Sequence, residues 1–372
     1  MKPRLHNTLA PRVVVDGRCS QTGIGRYVST LLSIAQRQNE WETIQIVQTR
    51  TAPQPRGVKN AVIAAPIYSL REQWLVPWAA RGADLVHIPH YNIPVFYPGK
   101  LLVTIHDLTH ITVPEFARSL KSRIYARNML GLAVKKASHI VTDTHFVARQ
   151  IQERWHLPKS KITTIYLNVG SYLQPRISPG QAGELMSQMG VSVPYYLYVG
   201  GFRPHKNLPL LLRGFKEFLR QKNWPGYLLL VSTDAKGLSQ VLREAERLRI
   251  ADRIQVKHQV TDEQLIALYM QCHAFVTASL SEGFCLPVLE AMTCGAPVAC
   301  SQATCLPEIA GGAALLFDAR NPEAIASSLA DLLEPNRRNY LVRAGRERAA
   351  WFSAQDPAAR HLTLYRELLA TF

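Results

Sequence analysis

Short apolar runs alternate with helix-length segments along the whole chain, and that alternation limits the fold more than any other feature. In the first half the runs are Arg12–Val15, Ile44–Gln48, Leu85–Ile88, Leu101–Ile105, Ile140–Thr142 and Ile162–Ile165. In the second half they are Tyr195–Val199, Tyr227–Val231, Arg253–Val256, Ala274–Thr277, Pro297–Cys300 and Ala314–Phe317. Helical segments fall between them, for example Leu208–Gln221, Leu238–Arg249, Asp262–Gln271 and Pro287–Cys294. This is the pattern of βα units and parallel sheets. At 372 residues the chain is long for one domain and suits two. The stretch Ser171–Gly183, rich in Pro, Gly, Ser and Gln, reads as the join. Two such halves imply a ligand in the crevice between them, outside the carboxyl ends of the strands.

Charge narrows the partners. The net charge is +16, and residues 1–175 hold 22 Lys and Arg against 9 Asp and Glu. Arg118 to Lys136 carries six basic residues and no acid. Such a half suits an anionic membrane surface or a phosphorylated acceptor, and equally a plain solvated face. Nucleic acid is not expected, because the basic residues are not interleaved with aromatics in any known binding motif. No apolar run is long enough to span a bilayer, and no secretory signal precedes Arg12, so a cytoplasmic protein is expected. The six cysteines show no CxxC spacing and read as reduced, packed thiols.

Chemistry concentrates in Ser281-Glu282-Gly283-Phe284-Cys285-Leu286-Pro287-Val288-Leu289-Glu290-Ala291-Met292, just after the run Ala274–Thr277. Pro287 fits the first turn of a helix, where its missing N–H costs nothing. Backbone N–H groups of Gly283 and Phe284 then point out of the helix start, a site for a diphosphate or a sugar hydroxyl. Glu282 before the helix and Glu290 one turn into it could grip vicinal hydroxyls. On the residues alone, Glu282 as a mere cap and Glu290 as surface stay open.

These residues resemble glycosyltransferase family 4, whose hallmark is E-G-F-G-L-P-x-x-E-A-M. Cys294-Gly295-Ala296-Pro297-Val298, Leu306-Pro307-Glu308 and Gly312 to Asp318 continue the likeness, while Cys285 replaces the usual glycine. Tyr198 to Leu208 resembles the family's loop with a phosphate-binding lysine, which makes Lys206 the residue that neutralises a donor diphosphate. Gly201 stands where many members carry an arginine, so Arg203 would substitute for it. Val256 to Leu265, with Val260, resembles the loop that reads the nucleobase. Thr22-Gly23-Ile24-Gly25-Arg26-Tyr27 matches the glycine-rich loop, with Gly23 and Gly25 facing donor phosphate or acceptor. Thr104-Ile105-His106-Asp107-Leu108 resembles T-I-H-D-L, which places His106 against the transferred sugar with Asp107 supporting the loop. Val141 to Phe146 corresponds to V-S-x-x-S, from which Asp143 and His145 depart.

The resemblance implies an α/β fold of the GT-B type, two Rossmann-like domains facing each other across a cleft, with the C-terminal helix crossing back to the first domain. Residues 1–172 would form the acceptor-side domain, with 353–372 as the crossing helix. Residues 173–183 would form the linker, and 184–352 the nucleotide-sugar domain. It implies a retaining transferase with no cofactor, using a nucleotide-diphosphate sugar as co-substrate, GDP-mannose or a UDP-hexose. The acceptor would be a glycan or lipid-linked molecule of bacterial surface polysaccharide, met at the inner membrane face. Catalysis would fall to His106, Glu282, Lys206 and Arg203. The donor would be held by Gly23, Gly25, Gly201, Val260, Gly283, Phe284, Cys285, Leu286 and Glu290. No D-x-D pair is present to hold a cation, so metal independence is expected. An epimerase or phosphorylase on the same scaffold, a nicotinamide dehydrogenase and an inactive binding subunit are the alternatives. The complete Glu282–Glu290 motif speaks against the first two. Only Gly23-Ile24-Gly25 suggests the dehydrogenase, and retention of Glu282, Glu290, Lys206 and His106 together speaks against the inactive subunit.

Overall fold

The computed structural model describes residues 10–19, 24–113, 120–170, 173, 176–233 and 236–370. The chain divides into two compact units. One comprises Met1–Leu108, Ser119–Tyr166 and Asp356–Phe372, the other Thr109–Arg118 and Leu167–Gln355.

The first sheet is built from β1 (Arg12–Asp16), β2 (Glu42–Val47), β3 (Val58–Val62), β4 (Leu85–Ile88), β5 (Leu101–Thr104), β6 (His139–Thr142) and β7 (Ile162–Thr164). Between the strands lie α1 (Gly25–Ser33), α2 (Glu72–Ala79), α3 (Thr109–Thr112), α4 (Leu120–Lys136) and α5 (His145–Trp155); of these, α3 belongs to the second unit. All strands pair in parallel, in the order β3-β2-β1-β4-β5-β6-β7. The order reverses between β1 and β4, so the crevice of this sheet opens beyond their carboxyl ends. Val13, Val14 and Val15 are fully buried, as expected of a central strand covered on both faces. At the end of β1 the Arg18 guanidinium grips Asp16 through Nε and Nη2 and reaches Glu72 at 3.1 Å through Nη1, fixing the following turn with a buried ion triad. The strand β3 has no counterpart among the apolar runs of the sequence, because Lys59 and Asn60 break its apolar character and it is an edge strand.

The second sheet holds β8 (Tyr195–Val199), β9 (Tyr227–Ser232), β10 (Ile254–His258), β11 (Ala274–Thr277), β12 (Val298–Ser301) and β13 (Leu315–Phe317). Its helices are α6 (Pro179–Gln188), α7 (Leu208–Gln221), α8 (Leu238–Arg247), α9 (Asp262–Gln271), α10 (Leu286–Thr293), α11 (Leu306–Ala310), α12 (Pro322–Asp331) and α13 (Pro335–Ser353). The order β10-β9-β8-β11-β12-β13 is again parallel and again reverses, here between β8 and β11. Tyr195, Tyr196 and Tyr198 are all buried in β8, and each hydroxyl finds a carbonyl, on Leu268, Leu329 and Gly201 respectively. The six cysteines are free and buried.

The expected linker at 173–183 is corrected by α6, which starts at Pro179. Ser178 and Gln181 form a capping box around a first-turn proline, a helix start hidden in a Pro- and Gly-rich stretch. The two units part instead between Tyr166 and Leu167.

The last helix, α14 (Pro357–Ala370), is part of the first unit and packs on α1 and β4. Its anchor is a buried chain of hydrogen bonds with one self-consistent direction. His361 donates from Nδ1 to the Pro357 carbonyl at 2.7 Å, so its Nε2 accepts from the Tyr27 hydroxyl at 2.8 Å. Tyr27 accepts from Thr104 at 2.7 Å, Thr104 accepts from His87 Nε2 at 2.7 Å, and His87 Nδ1 accepts from Tyr365 at 2.6 Å. This direction is the one that neutral histidines impose, and burial keeps both neutral: it lowers His87 far below its ordinary pKa and lowers His361 to about 4.

Candidate active site

The reversal point of the second sheet collects the charged residues that the sequence singles out. After β8 the chain passes Gly200, in a positive-φ conformation (φ 153°), where an added Cβ would sit 2.9 Å from the Tyr198 hydroxyl. A single 3-10 turn, Pro204–Lys206, follows, and Asn207 in the left-handed region (φ 57°) redirects the chain into α7. Asn207 is the residue that sequence reasoning misses. Its Nδ2 donates to the carbonyls of Ala278 and Ala319 at 3.1 and 2.8 Å, tying the loop to the segment after β11. Asparagine tolerates the left-handed region while bonding backbone, the only signal available in the sequence.

That tie brings Lys206 Nζ to 2.5 Å from Glu282 Oε1. The Glu282 N–H is in turn fixed on Thr304 Oγ1 at 3.2 Å. Burial opposes charge on both side chains, but each supplies the other's counter-ion. The ammonium is pushed up from its ordinary pKa and the carboxyl is pushed down, so both are ionised. Lys206 and Glu282 have separate readings in the sequence; their mutual ion pair is a product of the fold.

Pro287 stands in the first turn of α10, and Cys285 is the N-cap residue at φ 70°. The family's glycine pattern has a conformational reason at this position, and the Cys285 side chain is accommodated at the cost of a left-handed non-glycine residue. Gly283, Phe284 and Cys285 are buried, and Leu286 is half-buried. Glu290 is not surface: it is 3% exposed, and its Oε2 accepts from the Tyr269 hydroxyl of α9 at 2.9 Å. Gly201 and Val260 are half-buried in their loops, and Arg203 is exposed at the start of the 3-10 turn.

In the first unit, His106 follows β5. Its Nδ1 lies 2.6 Å from Asp143 Oδ2 and its Nε2 3.0 Å from the Pro89 carbonyl, with the Tyr27 ring edge-on at 5.0 Å. Gly25 is buried at the start of α1. Gly23 lies outside the described residues.

With this geometry in place, two family profiles match the chain: glycosyl transferases group 1 over residues 190–348, and glycosyltransferase family 4 over residues 23–169. The chain belongs to glycosyltransferase family 4. The O-antigen chain mannosyltransferase B of Escherichia coli is 29% identical, across 93% of this transferase and 96% of that protein. The O-antigen chain mannosyltransferase RfbU of Salmonella typhimurium is 26% identical over 67% of this chain and 64% of its own length. Among solved structures, Anabaena HepE in complex with UDP-glucose shares the fold with a TM-score of 0.75 at 16% identity, covering 97% of the transferase and 100% of that chain. The two parallel sheets are thus the Rossmann-like halves of a GT-B glycosyltransferase.

Proposed function

We propose that the transferase moves a hexose, with mannose from GDP-mannose the first candidate, to a glycan or lipid-linked acceptor in bacterial surface-polysaccharide assembly. The anomeric configuration is retained, and no metal ion takes part. The observation that carries this reading is the ionised Lys206–Glu282 pair beyond the carboxyl ends of β8 and β11, beside the start of α10. A departing nucleoside diphosphate concentrates negative charge. A fixed, partly desolvated ammonium offsets that charge with little reorganisation, which is where electrostatic stabilisation is greatest.

The other roles follow from chemistry at each position. Glu282, once the donor diphosphate takes over as partner of Lys206, accepts hydrogen bonds from sugar hydroxyls. Glu290 accepts from the ribose hydroxyls, with Tyr269 holding its other oxygen. Arg203 adds a second positive charge. Gly201, Gly283, Phe284, Cys285 and Leu286 offer backbone to the phosphates and sugar, while Val260 lines the base. His106 meets the transferred sugar, with Gly25 and Gly23 on the loop before α1.

The names of the two O-antigen relatives support mannose and surface polysaccharide. The UDP-glucose complex of HepE keeps UDP-hexoses as second candidates. A thermal-shift panel of GDP-mannose, UDP-glucose, UDP-galactose and UDP-N-acetylglucosamine tests the choice, because a ligand bound by the folded state alone raises Tm by mass action. Stabilisation by GDP-mannose above the UDP-sugars is expected. A larger shift from a UDP-sugar would replace mannose in this reading.

A further inference from the structure

His106 sits between two oxygens that can only accept. The Pro89 carbonyl has no hydrogen to give, so Nε2 must carry one, and a carboxylate at Asp143 requires one on Nδ1 as well. We propose that Asp143 holds His106 as an imidazolium, so that the transferase presents a fixed, charged N–H donor to a substrate oxygen throughout the neutral pH range. Asp143 is the positioning residue and His106 the group that touches substrate. The sugar-contact role of His106 rests on the function proposed above; the charge on its ring does not.

The surroundings agree. Asp143 is 2% exposed, and its second oxygen, Oδ1, is buried and accepts no hydrogen bond among the described residues, which leaves the imidazolium as its compensating charge. Burial alone would lower the pKa of His106. The Asp143 charge and hydrogen bond, the Pro89 bond and the nearby Asp107 carboxylate overcome it, and the net direction is up. His87 and His361, on the neighbouring β4 and α14, are neutral members of the chain through Tyr27 and Thr104 and place no competing cation there. The bond to Asp143 is charge-assisted and short, whereas the Pro89 bond is longer and made to a neutral acceptor. Nε2–H is therefore the donor that a sugar hydroxyl or phosphate oxygen can share with the Pro89 carbonyl in a three-centre bond, while Asp143 keeps the ring from turning. No proton is transferred.

The test is nitrogen NMR of the whole transferase carrying 15N-histidine, read between pH 6 and 8, with rates measured on the same preparations. In the parent, both His106 ring nitrogens should be protonated across that range. In Asp143→Asn the new amide can donate to Nδ1, so the ring should become neutral with its proton on Nε2. With its counter-ion gone, burial lowers the ring below the ordinary histidine value of about 6.5, so the Asp143→Asn rate should lie below the parent's across this range and recover only as pH falls under 6.5, while the parent stays flat. An unprotonated Nδ1 in the parent overturns the proposal whatever the rates do, and that spectrum needs no variant. A charged parent ring whose loss in Asp143→Asn leaves kcat, KM and the pH profile unchanged would instead remove His106 from sugar transfer and overturn the donor role.

Discussion

Lys206 and Glu282 stay ionised at a partly buried site because each neutralises the other, and this governs how substitutions there behave. Lys206→Ala should lower turnover by on the order of 10²-fold, as expected for loss of one fixed group facing a developing anion. It also leaves the Glu282 carboxylate unpaired, so the single variant should be less stable than Lys206→Ala combined with Glu282→Gln. Thermal melts separate the two effects: the double variant should recover Tm but not rate. Glu282, lowered from its ordinary pKa, contributes stability in full above about 4.3, and the pair's contribution is lost as pH falls through the folded value. Glu290→Ala should weaken donor binding by about 1.5–3 kcal/mol through loss of a charged acceptor. Calorimetry showing unchanged affinity with the fold intact would remove Glu290 from the site. These residues are legible in the sequence because Glu282 and Glu290 lie in one linear motif and Lys206 in another. Their partners are not: Tyr269 reads only as part of an apolar helix face, and Asp143 meets His106 from 37 positions away.

At the scale of elements, the hydrogen-bond chain under α14 makes the attachment of the last helix sensitive to acid. His361 is held neutral, with its pKa lowered from 6.5 to about 4. Its contribution is thus complete above about 6.5 and is lost as pH falls toward 4, a change on the order of 3 kcal/mol for a shift of this size. Hydrogen exchange should show α14 amides opening more readily at pH 5 than at pH 7, and His361→Asn should reduce that difference to the part that His87 contributes. Equal protection at both values in the parent would contradict the neutral chain. Apart from β3, the described strands are foreshadowed by apolar runs, because buried parallel strands carry that signal strongly, and α14 by the crossing helix that the family resemblance implies. The run Pro297–Cys300 marks β12 with a one-residue offset, whereas β3 and the α6 start escape. An edge strand needs no continuous apolar run, and the α6 cap is written in Ser, Pro, Gly and Gln, the same residues that write loops.

For the whole molecule, no helix among the described residues is long and apolar enough to cross a membrane. The basic first half nevertheless offers a surface suited to one. On α4, Lys121, Arg123, Arg127, Lys135 and Lys136 are exposed beside Leu120, Ile124 and Tyr125, and Arg118 lies outside the described residues. Each well-placed basic residue gains about 1 kcal/mol at an anionic leaflet, within a Debye length of about 8 Å. Vesicles containing phosphatidylglycerol should bind the parent at low salt and release it at high salt. Lys121→Glu combined with Arg123→Glu and Arg127→Glu should abolish binding and leave turnover of soluble donor unchanged. Failure of the parent to bind at low salt would make the basic half ordinary solvated surface. The most direct test of the central reading is nucleoside diphosphate release from the nucleotide-sugar panel, followed in excess chelator for the parent and for Lys206→Ala. GDP release from GDP-mannose that survives chelation and drops about 10²-fold in Lys206→Ala is the expected result. Activity abolished by chelator and restored by a divalent cation, or no nucleoside diphosphate released from any donor, would contradict it.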